Sequence, residues 1–297
     1  MNLTIDYTIL PYIIIDRCSL LYKCKFKLHI SVTTVMDAIH FIPCNPFMLK
    51  GDATMDRPYT ICHMLSSLDG KIIGDFLEDD RSAYFIHEYE RIHDRYECNA
   101  WMCGRITMQE HFAHEYIPPS NQDKQSPIPR TDYIAQKDVE TYAVAIDPHG
   151  KLAWNHNYIS EENGNRTTDH IIEVLTEEVP DAYLAYLQEL GISYIFGGTK
   201  ELNVVTVVKK LKALFSIDRL LLEGGGVLNG SFLNEGLIDE LSLVFVPFAE
   251  ASSPALTMFE NGSSFKETFP VHFELIRVEP MEHNGLWMTY RVEGNSK

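Results

Sequence analysis

Residues 221–233 read Leu221-Leu222-Glu223-Gly224-Gly225-Gly226-Val227-Leu228-Asn229-Gly230-Ser231-Phe232-Leu233. This pattern predicts an apolar strand that ends in consecutive glycines and leads into a short helix. Without Cβ atoms, such a turn lets main-chain N–H groups and the helix N-terminus face a phosphate. Close packing of the strand against the helix is the alternative explanation for the glycines, and the G-x-G-x-x-G spacing of the usual dinucleotide fingerprint is absent. We interpret Gly224, Gly225, Gly226, Val227 and Leu228 as a candidate pyrophosphate-binding turn.

Strands and helices alternate on both sides of this turn. Apolar runs predict strands at 59–66, 100–103, 142–147, 171–176, 192–196, 219–223 and 241–247. Helices are predicted at 81–96, 180–191, 204–215 and 227–234, where apolar residues follow helical spacing or a turn signal. Segments 273–278 and 286–292 flank a turn and predict an antiparallel hairpin at the sheet edge. The alternation predicts a three-layer α/β fold, with a mostly parallel central sheet and helices on both faces.

Two stretches differ in composition from the rest of the chain. Residues 1–54 carry five basic and four acidic residues, whereas the whole chain has a formal net charge of −17. Because Met55 opens a clean domain start, we expect residues 1–54 to be an extension, or a translated leader, outside a single domain of residues 55–297. The segment at about 115–137 is rich in Pro, Ser, Asn and Gln. It predicts a loop insertion without regular structure.

The overall composition narrows the range of partners. Apolar residues make up 45% of the chain, which is enough for a substantial core. A net charge of −17 argues against nucleic acid and anionic membranes, and no apolar run is long enough to span a bilayer. The six cysteines form no Cys-x-x-Cys pair, which indicates a reduced, cytoplasmic setting. We therefore expect a small-molecule ligand whose phosphates are held by local donors.

Two further glycine sites follow predicted strands. They are Cys103-Gly104-Arg105-Ile106-Thr107 and Phe196-Gly197-Gly198-Thr199-Lys200. Ligands of open α/β sheets lie outside the carboxyl ends of the strands, so Gly104, Gly197 and Gly198 are expected to converge with the first turn on one elongated cofactor. Arg105 and Lys200 are candidates for holding a ribose 2′-phosphate, which would select NADPH over NADH. The alternative is that either side chain only solvates the surface.

The first strand ends in the polar turn Leu65-Ser66-Ser67-Leu68-Asp69-Gly70-Lys71. Asp69 and Lys71 are candidates for orienting a substrate or relaying a proton. For Asp69, capping of the turn is the alternative that the spacing favours.

The histidines predict no metal site. His87, His93, His111 and His114 have spacings that can place two of them on one helix face. Because no partner motif accompanies them, we expect surface or core roles rather than metal ligation.

Several motifs are spaced along residues 57–292. They are Arg57-Pro58-Tyr59, Ser67-Leu68-Asp69-Gly70-Lys71-Ile72, Cys103-Gly104-Arg105-Ile106-Thr107-Met108, Leu222-Glu223-Gly224-Gly225-Gly226 and Ile238-Asp239-Glu240-Leu241. Their combination resembles the reductase domain of riboflavin biosynthesis. That domain is the carboxy-terminal half of the bacterial bifunctional deaminase/reductase and has the dihydrofolate-reductase fold.

The resemblance implies an NADPH-dependent reductase that converts a ribosylamino-pyrimidine 5′-phosphate to its ribitylamino form, and it implies a homodimer. By position, Leu65 and Ser66 would border the nicotinamide, and the turn that starts at Gly225 would hold the pyrophosphate. Glu223 matches the family's substrate-contacting carboxylate. The set Gly104, Arg105 and Thr107 matches a turn that faces the cofactor phosphates.

The chain also departs from this family. Segment 105–112 stands where the bifunctional proteins carry Asp-Asp-Pro-x-Leu-x-x-Arg. Another small pteridine, imine or enone substrate therefore stays open, as does catalytically silent dinucleotide binding. The sequence contains no His-x-Glu followed by Pro-Cys-x-x-Cys, so the zinc-dependent deaminase half is absent and no zinc is expected.

Overall fold

The computed structural model describes residues 55–117, 127–160, 168–252, 254–262 and 270–293. The strands in these ranges are β1 Tyr59–Ser66, β2 Ala100–Gly104, β3 His114–Glu115, β4 Tyr142–Ile146, β5 Leu152–Ala153, β6 Tyr158–Ile159, β7 Asp169–Thr176, β8 Ser193–Gly198, β9 Arg219–Leu222, β10 Glu240–Phe245, β11 Phe273–Pro280 and β12 Leu286–Val292. The α-helices are α1 Ala83–Arg95, α2 Arg105–His111, α3 Asp181–Leu190, α4 Val204–Phe215 and α5 Gly226–Asn234.

Ten of the described strands form one central sheet, in the order β11-β12-β10-β1-β9-β2-β4-β7-β6, with β8 also paired with β7. Parallel pairing joins each neighbouring pair in the series β10, β1, β9, β2, β4, β7 and β8. Strands β12, β11 and β6 pair antiparallel with their neighbours. The predicted mostly parallel sheet with an antiparallel carboxy-terminal hairpin is confirmed. All carboxyl ends of the parallel strands lie along one edge, where ligands of such sheets bind.

Helices cover both faces of this sheet and bury its apolar strands. Phe85 of α1, Met108 of α2 and Leu184 of α3 belong to the core on one face. Val208 of α4 and Phe232 of α5 belong to the core on the other face. Burying an aliphatic or aromatic side chain of this kind stabilises the fold by about 1.5–3 kcal/mol. These two cores fix the strand ends in place, and the predicted three-layer architecture is confirmed.

Helix α4 forms although its first turns contain four valines. β-Branched residues lose rotamer freedom in a helix, which lowers their helix propensity. Packing outweighs this cost here, because Val207, Val208 and Leu211 are each 0% exposed. The Asn203 side chain caps the helix by accepting a hydrogen bond from the Thr206 N–H at 2.9 Å. The helix predicted at 204–215 is therefore confirmed.

The prediction missed four elements: α2, β3, β5 and β6. The three missed strands have two residues each, too few to show a period of two. Boundaries shift by one or two residues, as at β9, which ends at Leu222, and at β10, which ends at Phe245. The insertion predicted at 115–137 begins inside β3. Residues 127–137 belong to no named helix or strand, whereas 118–126 lie outside the described residues.

Hydrogen bonds join residues 57–60, at the start of the predicted domain, to Asp239 and Glu240. The Arg57 guanidinium donates to both carboxylate oxygens of Asp239, at 2.6 and 2.7 Å. Asp239 also accepts a hydrogen bond from the Thr60 N–H at 2.8 Å. The Tyr59 hydroxyl donates to Glu240 at 3.2 Å. Two separated motifs, at 57–59 and 238–241, thus meet at the beginning of β1 and β10.

Residues 1–54 lie outside the described residues, so their assignment as an extension stays a prediction. A chain that begins at Met55 retains the Arg57–Asp239 ion pair and both cores. We expect its midpoint of thermal unfolding to lie within about 2 °C of the full-length value, which corresponds to less than about 1 kcal/mol. Circular dichroism of both proteins measures this. A decrease of many degrees would show that residues 1–54 are part of the folded unit.

Candidate active site

The tips of β9 and β2 lie side by side at the carboxyl edge of the sheet. The Gly104 N–H donates to the Gly224 carbonyl at 2.8 Å, and the Glu223 N–H donates to the Met102 carbonyl at 2.9 Å. The peptide bond between Gly224 and Gly225 is cis. The structure therefore brings together two of the three glycine sites that the sequence singled out.

The outer face of this glycine turn is open. A Cβ atom added at Gly225 would meet no atom within 4 Å. Gly225 is the N-cap of α5, and the first N–H groups of a helix have no intrahelical acceptor. These donors and the positive end of the helix dipole suit an anion. The residues that form the turn therefore fit the diphosphate of a dinucleotide, with Val227 and Leu228 in the first turn of the helix.

Two other glycines of the same segment serve packing. A Cβ atom at Gly226 would collide with the Thr257 carbonyl, and one at Gly230 would collide with the Glu260 carbonyl. The Glu260 N–H donates to the Gly226 carbonyl at 2.9 Å, so segment 257–260 lies directly against α5. Close packing thus explains Gly226 and Gly230, whereas the open space at Gly225 fits the phosphate-binding explanation.

The third glycine site lies apart from the other two. Gly197 and Gly198 end β8, which is separated from β2 by β4 and β7. Three strand spacings amount to about 14 Å. A Cβ atom at Gly198 would collide with the Glu201 carbonyl, which explains this glycine by close backbone packing. Lys200, in the same turn, is 80% exposed and lies 3.8 Å from Glu178.

Arg105 and Thr107 lie at the start of α2, immediately after Gly104. The Arg105 guanidinium donates to the Gln109 side chain at 2.6 Å and is half-buried. Thr107 is also half-buried. Of the two cations considered for a 2′-phosphate, Arg105 therefore lies next to the open glycine turn, whereas Lys200 does not.

Leu65 and Ser66 form the end of β1, which lies between β9 and β10. The register pairs Leu65 with Val244 of β10 and Ser66 with Phe245 of β10. Ser66 is buried and its hydroxyl donates to the Ser67 carbonyl at 3.1 Å. Because β9 pairs with β1 only as far as Cys62, Leu65 and Ser66 extend beyond the paired part of β9.

Asp69 and Lys71 hold the polar turn to neighbouring loops. The Asp69 carboxylate accepts hydrogen bonds from the Ser67 hydroxyl at 2.7 Å and from the N–H groups of Glu250 and Ala251 at 2.9 and 2.8 Å. The Ser67 hydroxyl, followed by these N–H groups, lowers the pKa of Asp69 to about 2. The Lys71 ammonium donates to the Ala255 carbonyl at 2.8 Å. These contacts fit the capping alternative for Asp69 and a tethering contact for Lys71.

Glu223 is buried between the sheet and α1. Its side chain is 4% exposed, and Oε1 lies 2.7 Å from Nδ1 of His93 in the last turn of α1. Cys62 of β1 and Met102 of β2 both pair with Leu222, so the next residues, His63 and Cys103, flank Glu223 at the same level. Burial lowers the pKa of His63 to about 4, so this imidazole is neutral at neutral pH.

Exposed apolar side chains border the same edge of the sheet. Ile106 of α2 is 59% exposed and Val227 of α5 is 48% exposed. Leu68 and Ile73, which follow β1, are 54% and 45% exposed. The Ile72 N–H donates to the carbonyl of Leu256, which is itself 36% exposed. Ile106, Val227 and Leu68 thus each follow the carboxyl end of a parallel strand, β2, β9 and β1 respectively.

A cleft of about 530 Å³ lies between the N-terminal end of α1 and the segment that follows β10. Its lining includes Arg81, Tyr84, Phe248 and His283. The Leu68 N–H donates to the Phe248 carbonyl at 2.6 Å, so this cleft adjoins the polar turn after β1. The cleft provides room for a small molecule on the α1 side of the sheet.

The described ranges contain neither a cluster of metal-ligating side chains nor a membrane-spanning helix. There, no three His, Cys, Asp or Glu side chains come together in a way that could hold a metal ion. No helix among the same residues is both long and apolar enough to cross a bilayer.

Comparison with known proteins identifies the family. The model of the RibD C-terminal domain matches residues 58–283. The chain belongs to the RibD C-terminal domain family. It is 25% identical over 239 residues to the 2,5-diamino-6-ribosylamino-4(3H)-pyrimidinone 5′-phosphate reductase of Methanothermobacter thermautotrophicus, a match that covers 80% of this chain and 100% of that protein.

Solved structures show the same fold. A pyrimidine reductase-like protein from Corynebacterium diphtheriae is 13% identical, with a TM-score of 0.53 over 80% of this chain and 92% of that chain. RibD of Acinetobacter baumannii is 19% identical, with a TM-score of 0.51 over 84% of this chain. This chain spans 61% of that RibD chain.

His93 is the site residue that the sequence analysis failed to connect with Glu223. The two residues are 130 positions apart, and no motif contains both. The register of β9 with β1 and the helical phase of α1 bring them together, and both depend on the three-dimensional fold.

Proposed function

We propose that this protein is the NADPH-dependent reductase of riboflavin biosynthesis, which reduces a ribosylamino-pyrimidine 5′-phosphate to the ribitylamino form. The observation that carries the proposal is the open turn at Gly225 beside Gly104, within a chain of the RibD C-terminal domain family. The Methanothermobacter relative, which is named as a 2,5-diamino-6-ribosylamino-4(3H)-pyrimidinone 5′-phosphate reductase, supports the substrate class.

The geometry of the strand tips supports the cofactor assignment. The N–H groups at the start of α5 would hold the diphosphate, and Arg105 at the start of α2 would hold the 2′-phosphate that distinguishes NADPH from NADH. Leu65 and Ser66, at the end of β1, would border the nicotinamide. When bound, this cofactor supplies the hydride for the reduction.

The protein's own residues would position the substrate. Reduction of the open-chain imine adds a hydride to C1′ of the sugar and a proton to the nitrogen that joins it to the ring. Glu223 faces α1 beside the strand tips and would bind N–H groups of the pyrimidine. The cleft lined by Arg81, Tyr84 and Phe248 lies on the same face and would receive another part of the substrate.

Two further predictions concern the setting of the enzyme. The described residues Cys62 and Cys98 are free thiols, which supports the reduced cytoplasmic location that we propose. We also propose a homodimer, on the family resemblance alone. Sedimentation equilibrium measures the oligomeric state directly.

Cofactor titration and turnover test the function. Protein fluorescence is followed during addition of NADPH and of NADH, and absorbance loss of NADPH is then followed with the ribosylamino-pyrimidine phosphate. We expect tighter binding of NADPH and substrate-dependent oxidation with formation of the ribitylamino product. The Arg105→Gln variant should narrow the preference for NADPH by about tenfold or more, because a charge-assisted hydrogen bond is lost. Binding without turnover would instead favour another imine or enone substrate, or a silent binding protein.

A further inference from the structure

The guanidinium of Arg105 is held by an uncharged partner. Its Nη1 donates to Oε1 of Gln109, one turn later on α2, at 2.6 Å, and both residues are half-buried. Among the described residues, no carboxylate pairs with Arg105. An amide oxygen accepts a hydrogen bond but carries no net charge, so the positive charge of the guanidinium stays available to a ligand.

This arrangement is unusual in so acidic a chain, whose formal net charge is −17. Several other described arginines pair with an aspartate or a glutamate. They are Arg57, Arg81, Arg91, Arg130 and Arg277. A carboxylate at position 109 would cancel the charge of Arg105 in the same way, whereas the glutamine fixes the guanidinium without cancelling it.

Arg105 lies beside the open glycine turn. The Gly104 N–H donates to the Gly224 carbonyl at 2.8 Å, and a Cβ atom at Gly104 would lie 3.8 Å from the main-chain nitrogen of Gly225. Arg105 is the next residue along the chain. In NADPH a single ribose joins the 2′-phosphate to the diphosphate, so a cation next to the diphosphate turn is within reach of that second phosphate.

We propose that Gln109 is a positioning residue that sets the preference for NADPH, because its amide oxygen holds the Arg105 guanidinium beside the glycine turn without neutralising it. The proposal rests on the proposed function and specifies how its cofactor is selected. A guanidinium has five N–H donors, so the bond to Gln109 leaves donors for the oxygens of a phosphate. A guanidinium that is already held in place also loses less side-chain entropy when the phosphate binds.

Two substitutions at position 109 test this role through the Kd values for NADPH and NADH, measured by fluorescence titration. Gln109→Glu supplies the carboxylate that Arg105 lacks. We expect the ratio of the Kd for NADH to the Kd for NADPH to fall by about tenfold or more, the usual effect of losing a hydrogen bond between charged groups. Gln109→Leu releases the guanidinium but keeps its charge, so the ratio should fall in the same direction by a smaller factor.

A double-mutant cycle shows whether Gln109 acts through Arg105. In an Arg105→Gln background, Gln109→Glu should change the ratio little further, because the charge that it neutralises is already gone. Glu110→Gln alters an exposed charge on the same helix and should match the wild type.

Thermal unfolding separates cofactor selection from a merely structural role of the Arg105–Gln109 contact. A polar pair four residues apart stabilises a helix only slightly, so the midpoints of the Gln109 variants should lie within about 2 °C of the wild type. Such a structural role would also give no reason for a difference between NADPH and NADH.

The outcomes distinguish this inference from the proposed function. An unchanged ratio in Gln109→Glu, an equal loss of affinity for both cofactors, or additive effects of Arg105→Gln and Gln109→Glu overturns the proposal. A wild-type protein that binds both cofactors equally overturns the proposal and the NADPH assignment together. If the wild type prefers NADPH and Gln109→Glu removes that preference, but NADPH is not oxidised with the pyrimidine substrate, the role of Gln109 stands and the proposed reaction is wrong.

Discussion

The Gly225→Asp variant is expected to fold like the wild type and to lose about a hundredfold or more in affinity for NADPH. Folding should survive because a Cβ atom at Gly225 meets nothing within 4 Å, and the φ angle of −78° suits any residue. Binding should fail because the new carboxylate would point at the diphosphate. Two unit charges about 4 Å apart repel each other by about 4 kcal/mol at an effective dielectric constant of about 20.

A matched variant separates charge from size. Gly225→Ala adds only a methyl group in the same open space and should lose much less affinity. Fluorescence titration with NADPH gives the Kd of each protein, and thermal unfolding shows that both are folded. If Gly225→Asp binds NADPH as the wild type does, the glycine turn is not part of the cofactor site and the proposed geometry is wrong.

The fold was predictable from the sequence because its parallel strands are buried on both faces. Strand β4, at Tyr142–Ile146, is a continuous apolar run, and β7, at Asp169–Thr176, contains Ile171, Ile172, Val174 and Leu175. Helices with apolar faces separate several of the parallel strands. The helices and strands that the sequence did not predict are short. Helix α2 follows β2 without a turn, and a strand such as β6 has only two residues.

The site was predictable only in part, because one sequence signal has two physical causes. Consecutive glycines mark a close approach of the main chain, whether to a ligand or to another segment of the protein. At Gly225 the space is open, whereas at Gly198 the neighbouring Glu201 carbonyl occupies it. This distinction depends on the loop at 199–203, and no spacing rule contains it.

Buried polar partners were the least predictable feature. Glu223 was recognised by its motif. Its partner His93 was not, because the apolar periodicity of α1 predicts the helix but not which polar side chain contacts Glu223. Likewise, Glu173 lies between apolar residues of β7, and the sequence alone does not show that its side chain is buried.

The Glu173→Gln variant is expected to be more stable than the wild type at pH 8 by at least about 1 kcal/mol. Glu173 has no exposed surface, and burial, followed by the charge of Asp147, raises its pKa well above the usual value. In the unfolded chain this carboxyl ionises near its ordinary pKa. The folded state therefore loses stability as the pH rises from the ordinary pKa to the raised one, by about 1.4 kcal/mol for each unit of difference. A glutamine does not ionise and avoids this loss.

The pH dependence distinguishes this electrostatic effect from a change in packing. Below about pH 4.5 both side chains are neutral, so the difference between the two proteins should shrink as the pH falls. Urea unfolding at pH 8 and at pH 5 measures the free energy of unfolding of each protein, and Glu189→Gln, at an exposed position of α3, is the control. The Trp154 indole donates to Oε1 of Glu173 at 2.6 Å, and the carbonyl of a glutamine side chain can accept the same bond.

A stability difference that is independent of pH would mean that Glu173 ionises in the folded protein as it does in the unfolded chain. A positive partner, rather than a proton held by Glu173, would then have to balance the buried carboxyl groups of Asp147 and Glu173.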